Sequence, residues 1–176
     1  MASSLTLEVN NLYPRLTYSS ETIDRFFEEI FTLHHHGCSG NLSIAFLDRS
    51  SHSQIHGNFL KDFRPTDVIP FPADPDERIA GEICVSVDQA IEESGVRGIP
   101  FARELSLYLV HGWLHLVGFD DKIDEDRKIM RGRRAKFLAS LKISSCGQIF
   151  CSLPAVEISS EERCDCKELY FCEKIP

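Results

Sequence analysis

The sequence predicts an α+β fold: a single domain in which a mixed sheet of about four strands is packed by helices. Three observations predict it. Short segments with period-two apolar alternation are interleaved with segments of helical period. No strand-like run follows residue 100. Three helical segments come last, one of them long. Leu5, Leu7 and Val9 alternate with polar residues, as a half-buried strand does. Ser19 or Ser20 caps a helix that puts Ile23, Phe26, Phe27, Ile30 and Phe31 on one face. Gly37 and Gly40 bracket a turn, and Leu42, Ile44 and Phe46 mark a second strand ending near Asp48. Residues 50–60 form a short helix packed through Ile55 and Phe59. Pro65, Pro70, Pro72 and Pro75 keep residues 61–79 mostly extended, with a short edge strand at 66–69. Residues 79–87 are the next strand, with Cys84 as a small buried hydrophobe. Asp88 caps a helix that Gly95 stops. Pro100 opens a long helix through Val117, closed by a left-handed cap at Gly118. Asp124 starts a last helix to about residue 141.

The domain is expected over residues 1–142 of the 176. Residues 143–176 lose periodicity, and are expected to form a Cys-rich tail of low order. An apolar content of 43% with 26% charged residues belongs to the soluble globular class. No apolar run approaches the roughly 20 residues that cross a bilayer, so no membrane partner is expected. Residues 1–9 lack the pattern of an export signal, which predicts a cytoplasmic protein. Five of the seven cysteines lie in the tail, and an odd number without an export signal favours reduced thiols. A net charge of −8 does not advertise nucleic-acid binding. Yet Lys122, Arg127, Lys128, Arg131, Arg133, Arg134 and Lys136 cluster directly after the segment described next. Alone, such a run is a solvated helix face; beside a site, it suits phosphate contact.

That segment is His111-Gly-Trp-Leu-His115-Leu-Val-Gly118-Phe-Asp120-Asp121. Histidines at i and i+4 project from one helix face about 6 Å apart, which suits two ligands of one metal. The surrounding helix is apolar, so unpartnered imidazoles there would be costly. Gly118 lets the chain fold back and offer a carboxylate, Asp120 or Asp121, as third ligand. Two histidines, a carboxylate and a water form an open, catalytic type of site at the end of the long helix. A metalloprotease of the zincin type needs a glutamate where this chain has Gly112.

These residues resemble the YbeY family of zinc-dependent endoribonucleases, whose signature HGxLHLxGYDH is matched here by HGWLHLVGFDD. Two further segments agree in order: PTDVLSFP with Pro65 to Pro72, and GDIVIS with Gly81 to Ser86. The resemblance covers roughly residues 5–141. It implies one Zn2+ ion held by His111, His115 and Asp121, with Asp120 ordering the loop. It also implies a bound water that attacks phosphorus in single-stranded RNA. Aspartate replaces the family's third histidine, which lowers the positive charge of the site and widens the metal choice towards manganese or iron. The family's substrate-facing arginine corresponds to Leu60, leaving Lys61 or Arg64 as nearby cations, and its glutamate in the last helix corresponds to Arg134. Asp67 and Glu82 are candidate supporting carboxylates.

Other signals point to simpler roles. His34, His35 and His36 suit a solvated helix end. His52 and His56 share the i, i+4 spacing without a nearby third ligand or an apolar setting. Cys164, Cys166 and Cys172 lack the paired CxxC spacing of a zinc ribbon. The implied function is 16S ribosomal RNA 3′-end maturation and ribosome quality control, with ribosomal RNA and small-subunit ribosomal proteins as partners. The alternative is a non-catalytic ribosome-assembly factor with structural zinc.

Overall fold

The computed structural model describes residues 5–33, 40–72 and 79–140. The histidine run at 34–36 and the tail from 143 lie outside the described residues. The order of elements is β1 (Leu5–Asn11), α1 (Ser20–Leu33), β2 (Gly40–Leu47), α2 (Arg49–Leu60), β3 (Val68–Pro72), β4 (Ile79–Ser86), α3 (Val87–Arg97), α4 (Phe101–Leu116) and α5 (Asp124–Ser140). The four strands form one mixed sheet in the order β1-β2-β4-β3. β1 and β2 are parallel, β2 and β4 are parallel, and β3 runs antiparallel to β4 at the edge. The α+β fold and the four-stranded mixed sheet are those the patterning predicts.

Alternation along the strands assigns the two faces of the sheet. Leu42, Ile44, Phe46, Ile83 and Val85 enter the main core together with Ile23, Phe27 and Ile30 of α1 and Leu105, Leu109 and Trp113 of α4. Phe31 of α1 and Trp113 of α4 meet with ring centroids 5.0 Å apart. α5 closes this side through Met130 and Phe137, both buried. The opposite face carries a smaller cluster of Ala45, Leu47, Ile69 and Cys84, covered by Ile55 of α2 and by Phe71.

Several local expectations change. The first is α2, where Phe59 is 67% exposed, while His52 is buried at 1%. A ring nitrogen of His52 lies 3.2 Å from the Cys84 carbonyl, and since that oxygen only accepts, Nε2 carries the proton. His52 therefore sits in an apolar setting that the sequence spacing did not reveal. The second is α3. Its cap is Ser86, whose hydroxyl accepts from the Gln89 amide at 3.3 Å. Asp88 instead bridges Tyr13 Oη and the Arg49 amide, both at 2.8 Å, joining the chain after β1 to the starts of α2 and α3. The helix also runs through Gly95 and stops at Gly98, which takes φ +63°. A glycine inside a helix is tolerated at modest cost, whereas the left-handed stop demands one. The third is β3, which begins at Val68 rather than Thr66.

α4 lies very close to the sheet. A Cβ on Gly112 would stand 2.6 Å from Ile83 Cγ2 and 2.9 Å from Val68 Cγ2. Any side chain at the position where a zincin carries its glutamate would thus crowd the sheet.

Two predictions follow from this packing. Gly112→Ala should destabilise the fold by about 1–3 kcal/mol, since the neighbours are branched side chains in a filled core; urea unfolding measures it. Burial holds the His52 pKa below its ordinary 6.5. Below that value the unfolded chain takes up a proton that the folded state refuses, so stability falls as pH drops. Unfolding between about pH 7.5 and about pH 5.5 should show a shallower pH dependence in His52→Gln than in the parent.

Candidate metal centre

The helix bearing the two histidines ends in a specific way. The Phe119 amide donates to the Leu114 carbonyl at 2.9 Å, and the Gly118 amide donates to the His115 carbonyl at 3.0 Å. This is the paired bonding of a Schellman turn, and Gly118 supplies its positive φ of +93°. The turn points the Phe119 carbonyl at His115 Nδ1, 3.0 Å away, and carries Asp121 back over the helix end.

His111 Nε2 and His115 Nε2 are 3.3 Å apart. Asp121 Oδ2 lies 3.6 Å from the first and 3.9 Å from the second. Donors held at about 2.0–2.1 Å in tetrahedral geometry are separated by roughly 3.3–3.5 Å, so this triangle is close to the size a small divalent ion requires. All three ligand atoms fall within 4.8 Å of one another. The residues present therefore fit a metal ion. His111 is 7% exposed, while His115 and Asp121 are partly open to solvent, so the cluster faces outwards on one side.

The hydrogen bonds fix the protonation of both rings. The Phe119 carbonyl only accepts, so His115 Nδ1 is the donor and, in the neutral ring, Nε2 offers a lone pair. Arg134 NH1 lies 3.1 Å from His111 Nδ1, and a guanidinium only donates, so Nδ1 is an acceptor. Burial, followed by the opposing pull of Asp67, sets the His111 pKa, which is pushed down to about 4. His111 is thus neutral at physiological pH, and its one proton sits on Nε2 and bridges to His115.

The other expected residues divide clearly. Asp67, at the entry to β3, brings Oδ2 to 4.0 Å from His111 Nε2, and its carbonyl accepts from the Ser86 amide at 3.0 Å. Asp120 turns away: Oδ1 accepts the Asp121 amide at 2.8 Å and Oδ2 pairs with Lys122 at 2.8 Å. Lys122, the first cause, holds the Asp120 carboxyl below its usual range. Glu82 lies on the α2 face of the sheet, with its Oε1 3.9 Å from Cys84 Sγ, and α4 packs on the other face. It gives the cluster no support, because strand parity sends it away. Lys61 closes α2 in the left-handed region at φ 60°, and its Nζ donates to the Asn58 carbonyl. Arg64 pairs with Asp62. Sequence reasoning named Arg134 within the basic cluster and as a departure from a family pattern, without placing it against His111. Its place on the buried edge of α5, four residues after buried Met130, is the signal that could have placed it at the site.

The fold and this cluster define a small α+β protein with two histidines and a carboxylate gathered at the end of a central helix. A sequence model of the family described as Endoribonuclease YbeY matches residues 8–142, and the chain belongs to that family. It is 31% identical over 137 residues to Endoribonuclease YbeY of Carboxydothermus hydrogenoformans, covering 76% of this chain and 96% of that protein. It is 33% identical over 140 residues to the protein of the same name from Protochlamydia amoebophila, covering 77% and 93%. The solution structure of TM1509 from Thermotoga maritima shares the fold, with a TM-score of 0.56 and 21% identity over 78% of this chain and 89% of that one.

Zinc titration with a thermal-unfolding readout should raise Tm in the parent chain. Asp121→Ala should weaken zinc binding by about 10-fold or more, whereas Asp120→Asn should change it by much less.

Proposed function

We propose that this chain is a metal-dependent, single-strand-specific endoribonuclease that matures the 3′ end of 16S ribosomal RNA and acts in ribosome quality control in the cytoplasm. The observation that carries the reading is the convergence of His111, His115 and Asp121 in a chain of the YbeY family. The relatives' names supply the endoribonuclease activity. Zinc as the ion, a single ion per chain and ribosomal partners are parts of the proposal.

The three side chains would hold the ion. When bound, it supplies a water acidic enough to act as hydroxide near neutral pH and stabilises negative charge developing on a phosphoryl oxygen. This chain's own residues do the rest. The Phe119 carbonyl orients His115 and keeps its Nε2 lone pair aimed into the cluster. Asp121 balances charge from the exposed side. Arg127, Arg131 and Arg134 follow i, i+4, i+7 spacing on α5 and form one basic stripe. Such a stripe attracts an RNA backbone despite the net charge of −8. Among the described residues, no helix is long and apolar enough to cross a membrane.

The direct test pairs cleavage with metal content. The double variant His111→Ala, His115→Ala should lose zinc and reduce cleavage of a single-stranded RNA oligonucleotide by at least about 1,000-fold. Undiminished cleavage by a metal-free double variant would refute the proposal. Strong ribosome association by the parent chain without metal-dependent cleavage would instead support an assembly factor with structural zinc.

A further inference from the structure

Arg134 stands out among the charged groups around the cluster. Its guanidinium is half-buried, yet its single hydrogen bond to a described residue goes to a neutral ring nitrogen, His111 Nδ1. It is in no ion pair with a described residue. Asp67, Glu104 and Asp121 attract it from beyond ion-pair distance, and Arg97 repels it. Glu104, a fully buried carboxylate, forms an ion pair with Arg97, with NH1 3.1 Å from Oε1. A half-buried guanidinium with most of its five donors uncommitted among the described residues offers an anion the geometry of a phosphate fork.

Its position adds a second argument. Arg134 lies between the metal cluster and an open polar cleft of about 230 Å³ whose walls include Thr66, Asp67, Glu104 and Tyr108. The bond to His111 is also incompatible with metal coordination by neutral His111 through Nε2. In that state the ring proton must sit on Nδ1, where it would oppose a group that has only donors. Arg134 must then leave His111, and the cleft is the space beside it. Lys61 and Arg64, the other nearby cations, make local contacts with the Asn58 carbonyl and with Asp62.

We propose that Arg134 is the phosphate-binding cation of this site. Held on His111 before metal loading, it is released by loading and binds a non-bridging oxygen of the RNA phosphate at the cluster. The proposal rests on the nuclease reading above, and it makes α5 part of the reaction site rather than only an RNA-guiding surface.

The test uses the full chain, zinc, and a single-stranded RNA oligonucleotide. Arg134→Met should bind zinc at least as tightly as the parent in a chelator competition, because loading no longer breaks a bond. Its kcat/KM should fall about 10- to 100-fold, the loss expected for one charge-assisted contact. The salt dependence of kcat/KM should be shallower by roughly 0.7 in logarithmic slope, the share of one single-strand phosphate. Arg134→Lys should recover part of the rate. Arg134→Gln carries the same measurements if the methionine variant does not fold. Weaker zinc binding by a folded Arg134→Met would overturn the proposal, as would cleavage within threefold of the parent or an unchanged salt slope. Parent-like cleavage by Arg134→Met with an inactive His111→Ala, His115→Ala control removes this proposal alone. Parent-like cleavage by both removes the nuclease reading itself.

Discussion

The chain reverses at Gly118, and two backbone hydrogen bonds hold that reversal. They satisfy carbonyls that a helix end would leave bare, and they do so only because residue 118 takes a positive φ. The same turn presents the Phe119 carbonyl to His115 and returns Asp121 to the two rings. A helix stop has become the outer support of one ligand and the source of another. With a different stop, the spacing of His111 and His115 would survive, but the third donor would be elsewhere.

The sheet sets the other half of the arrangement. α4 lies so near β4 that a Cβ on Gly112 would crowd Ile83, and His111, next to it on the same helix, is buried. Burial keeps that ring neutral. Neutrality then makes the hydrogen bonds directional: Arg134 to His111, His111 to His115, His115 to Phe119. Each link follows from which partner can only donate or only accept. Burial of one ring thus bears on where a proton sits on its neighbour.

Much of this was legible in the sequence, for physical reasons that can be named. Periodicity marked α1, α4 and the strands, because one buried face imposes its repeat on the chain. The histidine pair and Asp121 were legible because they lie within a single helix and its stop, where local geometry fixes distances. Long-range placement was not. Asp67, a candidate only through the resemblance, comes to His111 from the start of β3, and nothing between those positions in the chain encodes the approach. Glu82 lay in a family-like segment, but its face depends on strand parity, which Cys84 on the α2 side reveals. His52 looked solvated because its partner is the Cys84 carbonyl of a distant strand. Arg134 was hidden inside a charge run, where composition does not distinguish a solvated residue from one half-buried at a site.

The two prolines of β3 have a consequence of another kind. β3 is an outer strand of the sheet, paired on one side with β4. Pro70 and Pro72 lie opposite Ile83 and Gly81, and both lack an amide proton. Residues without that donor fit an edge strand only where the amide would face away from its neighbour. The side of β3 that no described strand covers is therefore missing alternate donors, and a strand from another molecule would find no complete ladder there. The residues that made this segment resemble a loop serve in the folded chain as protection against edge-to-edge aggregation.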